Sequence, residues 1–157
     1  MTNAIVTPSQ DAVVAEIQIA APPERVFQAL IDPKQLMQWW NSKECKCKLW
    51  QIEPRLHGRW HYETEKSSTT VNGVNEFKVG GEILEYDPPR KLVYTWMANW
   101  HQDPKARTVV SWELTPSRNG TRVVVTHSGL ADEAVARKDY SGGWVGVLET
   151  FKKFIEK

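Results

Sequence analysis

Nowhere in the 157 residues do apolar side chains run unbroken for the ~20 positions that a membrane-spanning helix needs. No membrane span is therefore expected. Cysteine is nearly missing. Cys45 and Cys47 stand in a C-x-C spacing unlike that of common zinc pairs, with only His57 and His61 close in sequence, and structural zinc sites usually need four ligands. The expectation is two ordinary thiols, without a metal or a disulfide framework. An excess of either charge is also missing: 20 Lys and Arg meet 19 Asp and Glu, a net charge of +1. A nucleic-acid binder needs a clustered basic footprint. The short basic runs Lys43 to Lys48 and Lys152-Lys153 are interrupted or flanked by Glu44, Glu149 and Glu156, so they read as solvated faces and no nucleic-acid partner is expected. Phosphate-binding glycine loops, nucleophile elbows and zincin motifs are absent, and no cofactor is expected. The first ten residues lack the basic-then-apolar order of a secretory signal, which makes the cytoplasm the expected location.

What the chain has in quantity is tryptophan, eight residues in all. Each indole combines a large apolar body with one N–H that wants an acceptor when buried. Such a number points to an aromatic core or an aromatic-lined cavity.

Hydrophobic periodicity gives the order of elements. Residues 1–11 read as a flexible tail and residues 12–157 as one domain. Val13, Ala15, Ile17 and Ile19 alternate as in a half-buried strand. Pro22-Pro23-Glu24 and Asp32-Pro33 each open a short helix, with proline in the first turn and an acidic residue near the helix start. Six strand-like segments follow: Cys45 to Ile52, around Trp60 and Tyr62, Val74 to Tyr86, around Leu92 to Trp96, around Val110 to Leu114, and around Val123 to His127. Asn72-Gly73, Asp87 to Arg90 and Asn119-Gly120 mark turns, and Gly80-Gly81 marks a bulge or sharp bend. Trp144, Val147, Leu148, Phe151, Phe154 and Ile155 form the apolar stripe of a closing helix. Ser141 is its candidate cap, and Gly142-Gly143 puts continuity with residues 131–140 in question.

This order predicts an α+β fold in which a curved antiparallel sheet wraps a long C-terminal helix, because the sheet's apolar face needs a cover and that helix is the only long amphipathic element. The inward residues are large, and large aromatics facing one helix can leave an elongated cavity suited to a small hydrophobic or aromatic ligand; a solid core is the alternative. The expected walls are Trp60, Tyr62, Tyr94, Trp96, Val110 and Trp112 on the strands, and Trp144, Leu148 and Phe151 on the helix. His127, on the inward side of its strand, either meets a ligand's polar end or is a satisfied core histidine. Trp100 and His101 fall in a loop near the expected entrance, as gate or as exposed loop residues.

Four segments resemble one known group. They are Ala21-Pro22-Pro23-Glu24-Arg25-Val26-Phe27 through Asp32-Pro33 to Trp39-Trp40; Gly81-Glu82-Ile83-Leu84-Glu85-Tyr86-Asp87-Pro88-Pro89 with Leu92 to Trp96; Gly120-Thr121-Arg122-Val123 through Thr126 to Gly129; and Gly143-Trp144 with Leu148. Together they look like the START-like (SRPBCC) superfamily, in the branch named for the activator of the heat-shock-protein-90 ATPase. The resemblance implies a helix-grip fold with a hydrophobic cavity; separately, a monomer or homodimer is expected. It does not imply one function, since one fold hosts unrelated activities. Some relatives on this fold are cyclases or hydrolases of polyketide-like substrates, for which His127, Glu82 and Tyr94 are the acid/base candidates here. The group's name also implies a chaperone partner, which the eukaryotic co-chaperone engages partly through a separate domain with no counterpart in these residues.

Overall fold

The computed structural model describes residues 5–8, 11–42 and 45–157, residues 5–8 by their backbone alone. The first strand, β1 (Ile5–Pro8), lies inside the segment expected as a tail. It pairs antiparallel with β2 (Val13–Ile19). Four residues are too few for period-two alternation to stand out, which is why the sequence pattern passed over it.

Helices α1 (Pro23–Ile31) and α2 (Pro33–Trp39) follow, both with proline at the start. The Asp32 carboxylate caps α2 by accepting from Lys34 N at 3.0 Å. The remaining strands are β3 (Cys47–Ile52), β4 (Arg59–Thr64), β5 (Lys78–Asp87), β6 (Lys91–Ala98), β7 (Thr108–Ser117) and β8 (Gly120–Ser128). All join one antiparallel sheet of order β1-β2-β8-β7-β6-β5-β4-β3. Strand β2 lies near one edge and β3 forms the other, so α1 and α2 carry the chain across the open side of the curl.

The bend assigned to Gly80-Gly81 proves to be two features. Gly81 allows close approach: a Cβ there would sit 2.0 Å from Thr95 O. The break in β5–β6 register comes later, between Ile83 and Glu85. Inward residues of the strands are buried at every position named above, from Trp60 and Tyr62 to Val110 and Trp112.

Helix α3 (Ala134–Ile155) lies against the concave face, and the fold is the expected helix grip. It runs unbroken through Gly142 and Gly143. Ser141 is not its cap; its hydroxyl donates back to Arg137 O at 3.2 Å. The buried stripe reaches upstream of Trp144 to Ala136 and Tyr140, four residues apart like Tyr140 and Trp144. Three glycines in one helix cost about 0.5–1 kcal/mol each relative to alanine, so tertiary contacts must hold this helix, and they do so at both ends. Near the C-terminus, Lys152 Nζ donates to Gln18 O at 2.8 Å, and the Glu156 carboxylate accepts from Ala20 N at 2.7 Å. Near the N-terminus, the buried Glu133 carboxylate accepts from Gln102 N and Asp103 N at 2.6 and 2.9 Å. No helix among the described residues is long and apolar enough to cross a membrane.

Candidate functional site

Between its two anchored ends, α3 does not close onto the sheet. A cavity of about 390 Å³ opens there, within the usual size of small-molecule sites. One wall is α3, through Asp139, Tyr140, Gly143, Trp144, Gly146 and Val147. The facing walls are mostly rings: Trp39 and Trp40 from the end of α2, Tyr62 from β4, Phe77 before β5, Trp96 from β6 and Trp100 just after it. Asn41, Ser42, Cys45, Ser67 and Thr69 supply neutral groups. Two helical glycines, Gly143 and Gly146, line this wall without side chains. A Cβ on Gly143 or Gly146 would meet nothing within 4 Å, so any larger residue there would project into open space.

The structure divides the ten residues expected as walls. Tyr62, Trp96 and Trp144 line the cavity. Trp60, Tyr94, Val110, Trp112, His127, Leu148 and Phe151 do not, and all are buried in the core behind it. Alternation identifies the inward face of a strand, but it cannot tell which part of that face the helix covers. Leu148 and Phe151 lie on the covered half, where Phe151 packs on Trp39 and Trp112 with ring centroids 4.4 and 5.8 Å away.

His127 illustrates the division. Trp144 Nε1 donates to its Nδ1 at 3.2 Å. Its Nε2 lies 2.8 Å from Thr108 Oγ1, whose own proton goes to Trp96 O at 2.7 Å. Thr108 must therefore accept from Nε2–H, and the bond network assigns a neutral ring with both nitrogens satisfied. Burial, with His101 nearby, holds its pKa well below the ordinary histidine value. His127 is thus a core histidine with no free polar atom for a ligand. The other acid/base candidates are dispersed as well. Tyr94 OH is buried and accepts from Trp112 Nε1 at 2.9 Å, while the Glu82 carboxylate pairs with the exposed His57 at 3.0 Å.

The polar centre of the cavity is a residue that the sequence pattern did not single out. Tyr140 OH accepts from Trp96 Nε1 at 2.8 Å and lies 2.7 Å from His101 Nε2. His101, expected in an exposed or gating loop, is only 3% accessible, and its Nδ1 has no partner. With the proton on Nδ1, that N–H has no acceptor and the Tyr140 hydroxyl donates to Nε2; with it on Nε2, the ring donates and the hydroxyl proton is left free. The second tautomer leaves Tyr140 with a proton for a third partner. Burial raises its pKa well above the usual phenol range, so it remains a donor. Trp100, the other residue expected in that loop, also lines the cavity, its ring centroid 6.2 Å from that of Tyr140. An acyclic clue existed: Tyr140 is four residues before Trp144 on the same helical face.

A curved antiparallel sheet gripping a C-terminal helix, with an aromatic cavity at their junction, defines a helix-grip protein. The family described as activator of Hsp90 ATPase homolog 1-like protein matches residues 20–156, and the chain belongs to it. No curated protein matches the chain. Among solved structures, a protein from Rhodobacter sphaeroides is 18% identical, with a TM-score of 0.81 and 99% of each chain covered. A protein from Mesorhizobium loti is 28% identical, with a TM-score of 0.73, covering 92% of this chain and 96% of that one. DynU16, described as a protein in the dynemicin biosynthetic locus, is 17% identical, with a TM-score of 0.72, over 94% of this chain and 48% of its own.

Proposed function

We propose that this protein binds a small, largely aromatic molecule in the cavity beneath α3. The observation that carries this reading is the aromatic lining itself, with Gly143 and Gly146 bare on one wall and the Tyr140 phenol among the lining residues. Apolar burial would supply affinity at about 25 cal/mol per Å². Tyr140 would orient the ligand through its hydroxyl, donating to an acceptor oxygen when His101 carries its proton on Nε2. That DynU16 belongs to a biosynthetic locus is compatible with a role beside small-molecule assembly.

The test is a titration of the protein with a panel of flavones, quinones and fatty acids, followed by tryptophan fluorescence. Saturable quenching that disappears in Gly143→Leu, while circular dichroism stays unchanged, is the expected result. Tyr140→Phe should weaken oxygen-bearing ligands by about 3- to 10-fold, the worth of one net hydrogen bond, and leave plain hydrocarbons unaffected. A panel that gives no saturable response, or quenching that Gly143→Leu leaves intact, would remove the cavity from consideration. A new product in mass spectra of the incubations would make the same site catalytic.

A further inference from the structure

Part of the cavity wall is carried by a loop. Residues 99–107 connect β6 to β7, and Trp100 among them lines the cavity. Trp100 and His101 are buried, whereas residues 102–105 are exposed. Hydrogen bonds tie residues 100–103 to other segments. Asn72 Nδ2 donates to Trp100 O at 2.9 Å, His101 Nε2 lies 2.7 Å from Tyr140 OH, and the Glu133 carboxylate accepts from Gln102 N and Asp103 N.

His101 carries the pH-sensitive bond of this set. Its Nδ1 has no hydrogen-bond partner among the described residues. The ionisable groups that face it are Tyr140 from α3, His127 from β8, Glu133 from the segment before α3, and Asp103 from the loop itself. The rings of Tyr140, Trp100 and His127 lie around it, with centroids 5.7, 6.0 and 6.4 Å away. Burial among them disfavours a charge and lowers its pKa, against the opposing pull of Glu133 and Asp103. Burial, and then the nearby His101, holds His127 well below the ordinary value, so the first proton goes to His101.

From this cluster we propose that residues 99–107 form a proton-operated gate: charging His101 frees the loop and withdraws Trp100 from the cavity wall. A neutral ring suits the closed loop, and a charged one regains its hydration only when the loop swings outward. Because the closed form binds the proton more weakly than the open form, acid favours opening. The open fraction rises by at most about tenfold per pH unit below about pH 6.5. Withdrawal of Trp100 removes an aromatic wall, so bound ligand is released in acid. That consequence rests on the ligand-binding reading of the cavity, while the opening itself does not.

Hydrogen exchange of the intact protein between neutral pH and about pH 5, corrected for the intrinsic pH dependence of exchange, tests the gate. Amides of Gln102 and Asp103 should lose protection at the acid end, while those of β7 and β8 keep theirs. In His101→Gln, whose side chain can still bond Tyr140 but takes up no proton, the loss should vanish. In His127→Gln it should persist. Loop protection that does not change with pH in the wild type overturns the proposal. So does a change that His127→Gln abolishes and His101→Gln does not, or one that β7 and β8 share equally. Naphthol, titrated by tryptophan fluorescence, reads the cavity separately. Its affinity should fall together with the loop's protection in the wild type and stay level in His101→Gln. If naphthol keeps its affinity while the loop opens, the link from gate to cavity is wrong. If it does not bind even at neutral pH, the ligand-binding reading falls and exchange alone decides the gate.

Discussion

His127 shows how a single buried side chain sets a property of the whole protein. Its folded-state pKa is depressed, so the native state refuses a proton that the unfolded chain accepts near pH 6.5. Burial lowers His101 in the same direction. The stability contributed by the neutral rings is complete above that value and is lost as pH falls below it. For one fully protected histidine the slope is about 1.4 kcal/mol per pH unit. Asp32, Glu53, Glu63 and Glu156, whose pKa values are lowered, act only at more acidic pH. Urea unfolding between neutral pH and about pH 5 should therefore show falling stability, and His127→Gln should flatten the slope. An equal slope in that variant would assign the effect to other groups. From sequence, His127 was legible as inward-facing. Its partners were not, because Thr108 and Trp144 reach it from two other elements and no local spacing records that meeting.

Helix α3 was legible over its C-terminal half, where Trp144, Leu148 and Phe151 repeat at helical spacing. Its N-terminal half was not, because Gly142-Gly143 reads as a break. The helix survives because the carboxylates of Glu133 and Glu156 and the ammonium of Lys152 tie its ends to the sheet side of the molecule. Glycine therefore has a separable cost and use here. Gly142→Ala should raise stability by about 0.5–1 kcal/mol, measured by urea midpoint, with no effect on ligand affinity, since Gly142 is exposed outside the cavity lining. Gly143→Ala should stabilise to a similar degree yet reduce the cavity and weaken bulky ligands. A weakening of the same size in both variants would mean that helix stiffness, not space, governs binding.

For the whole molecule, the class of fold followed from the order of hydrophobic patterns, and the cavity walls followed only in part. Trp39 and Trp40 were legible as the apolar end of a short helix. Their place opposite Trp144 depends on α1 and α2 crossing the open side of the sheet, which is a topological fact and not a local one. Trp100 looked like a loop residue because it follows β6 in a polar stretch, yet Phe77, Trp96 and Tyr140 enclose it. The same topology predicts a map of protection. Amides of β8, β7 and β6, central in the sheet, should exchange slowest, and those of edge strands β1 and β3 fastest. Ligand should slow exchange chiefly in residues 139–147. Uniform slowing across the sheet in a hydrogen-exchange experiment would argue for binding elsewhere.

The space beneath Gly143 and Gly146 also gives the protein a volumetric property. Hydrostatic pressure favours the state of smaller volume, and unfolding eliminates internal voids in proportion to their size. The part of this space that indole rings enclose offers water few polar partners. This protein should therefore unfold at lower pressure than its heat stability alone would indicate. Gly143→Leu, or a bound ligand that fills the gap, should raise the midpoint pressure in a high-pressure fluorescence cell. The molecule's compressibility would then report occupancy of the cavity even for a ligand that leaves the tryptophan spectrum unchanged.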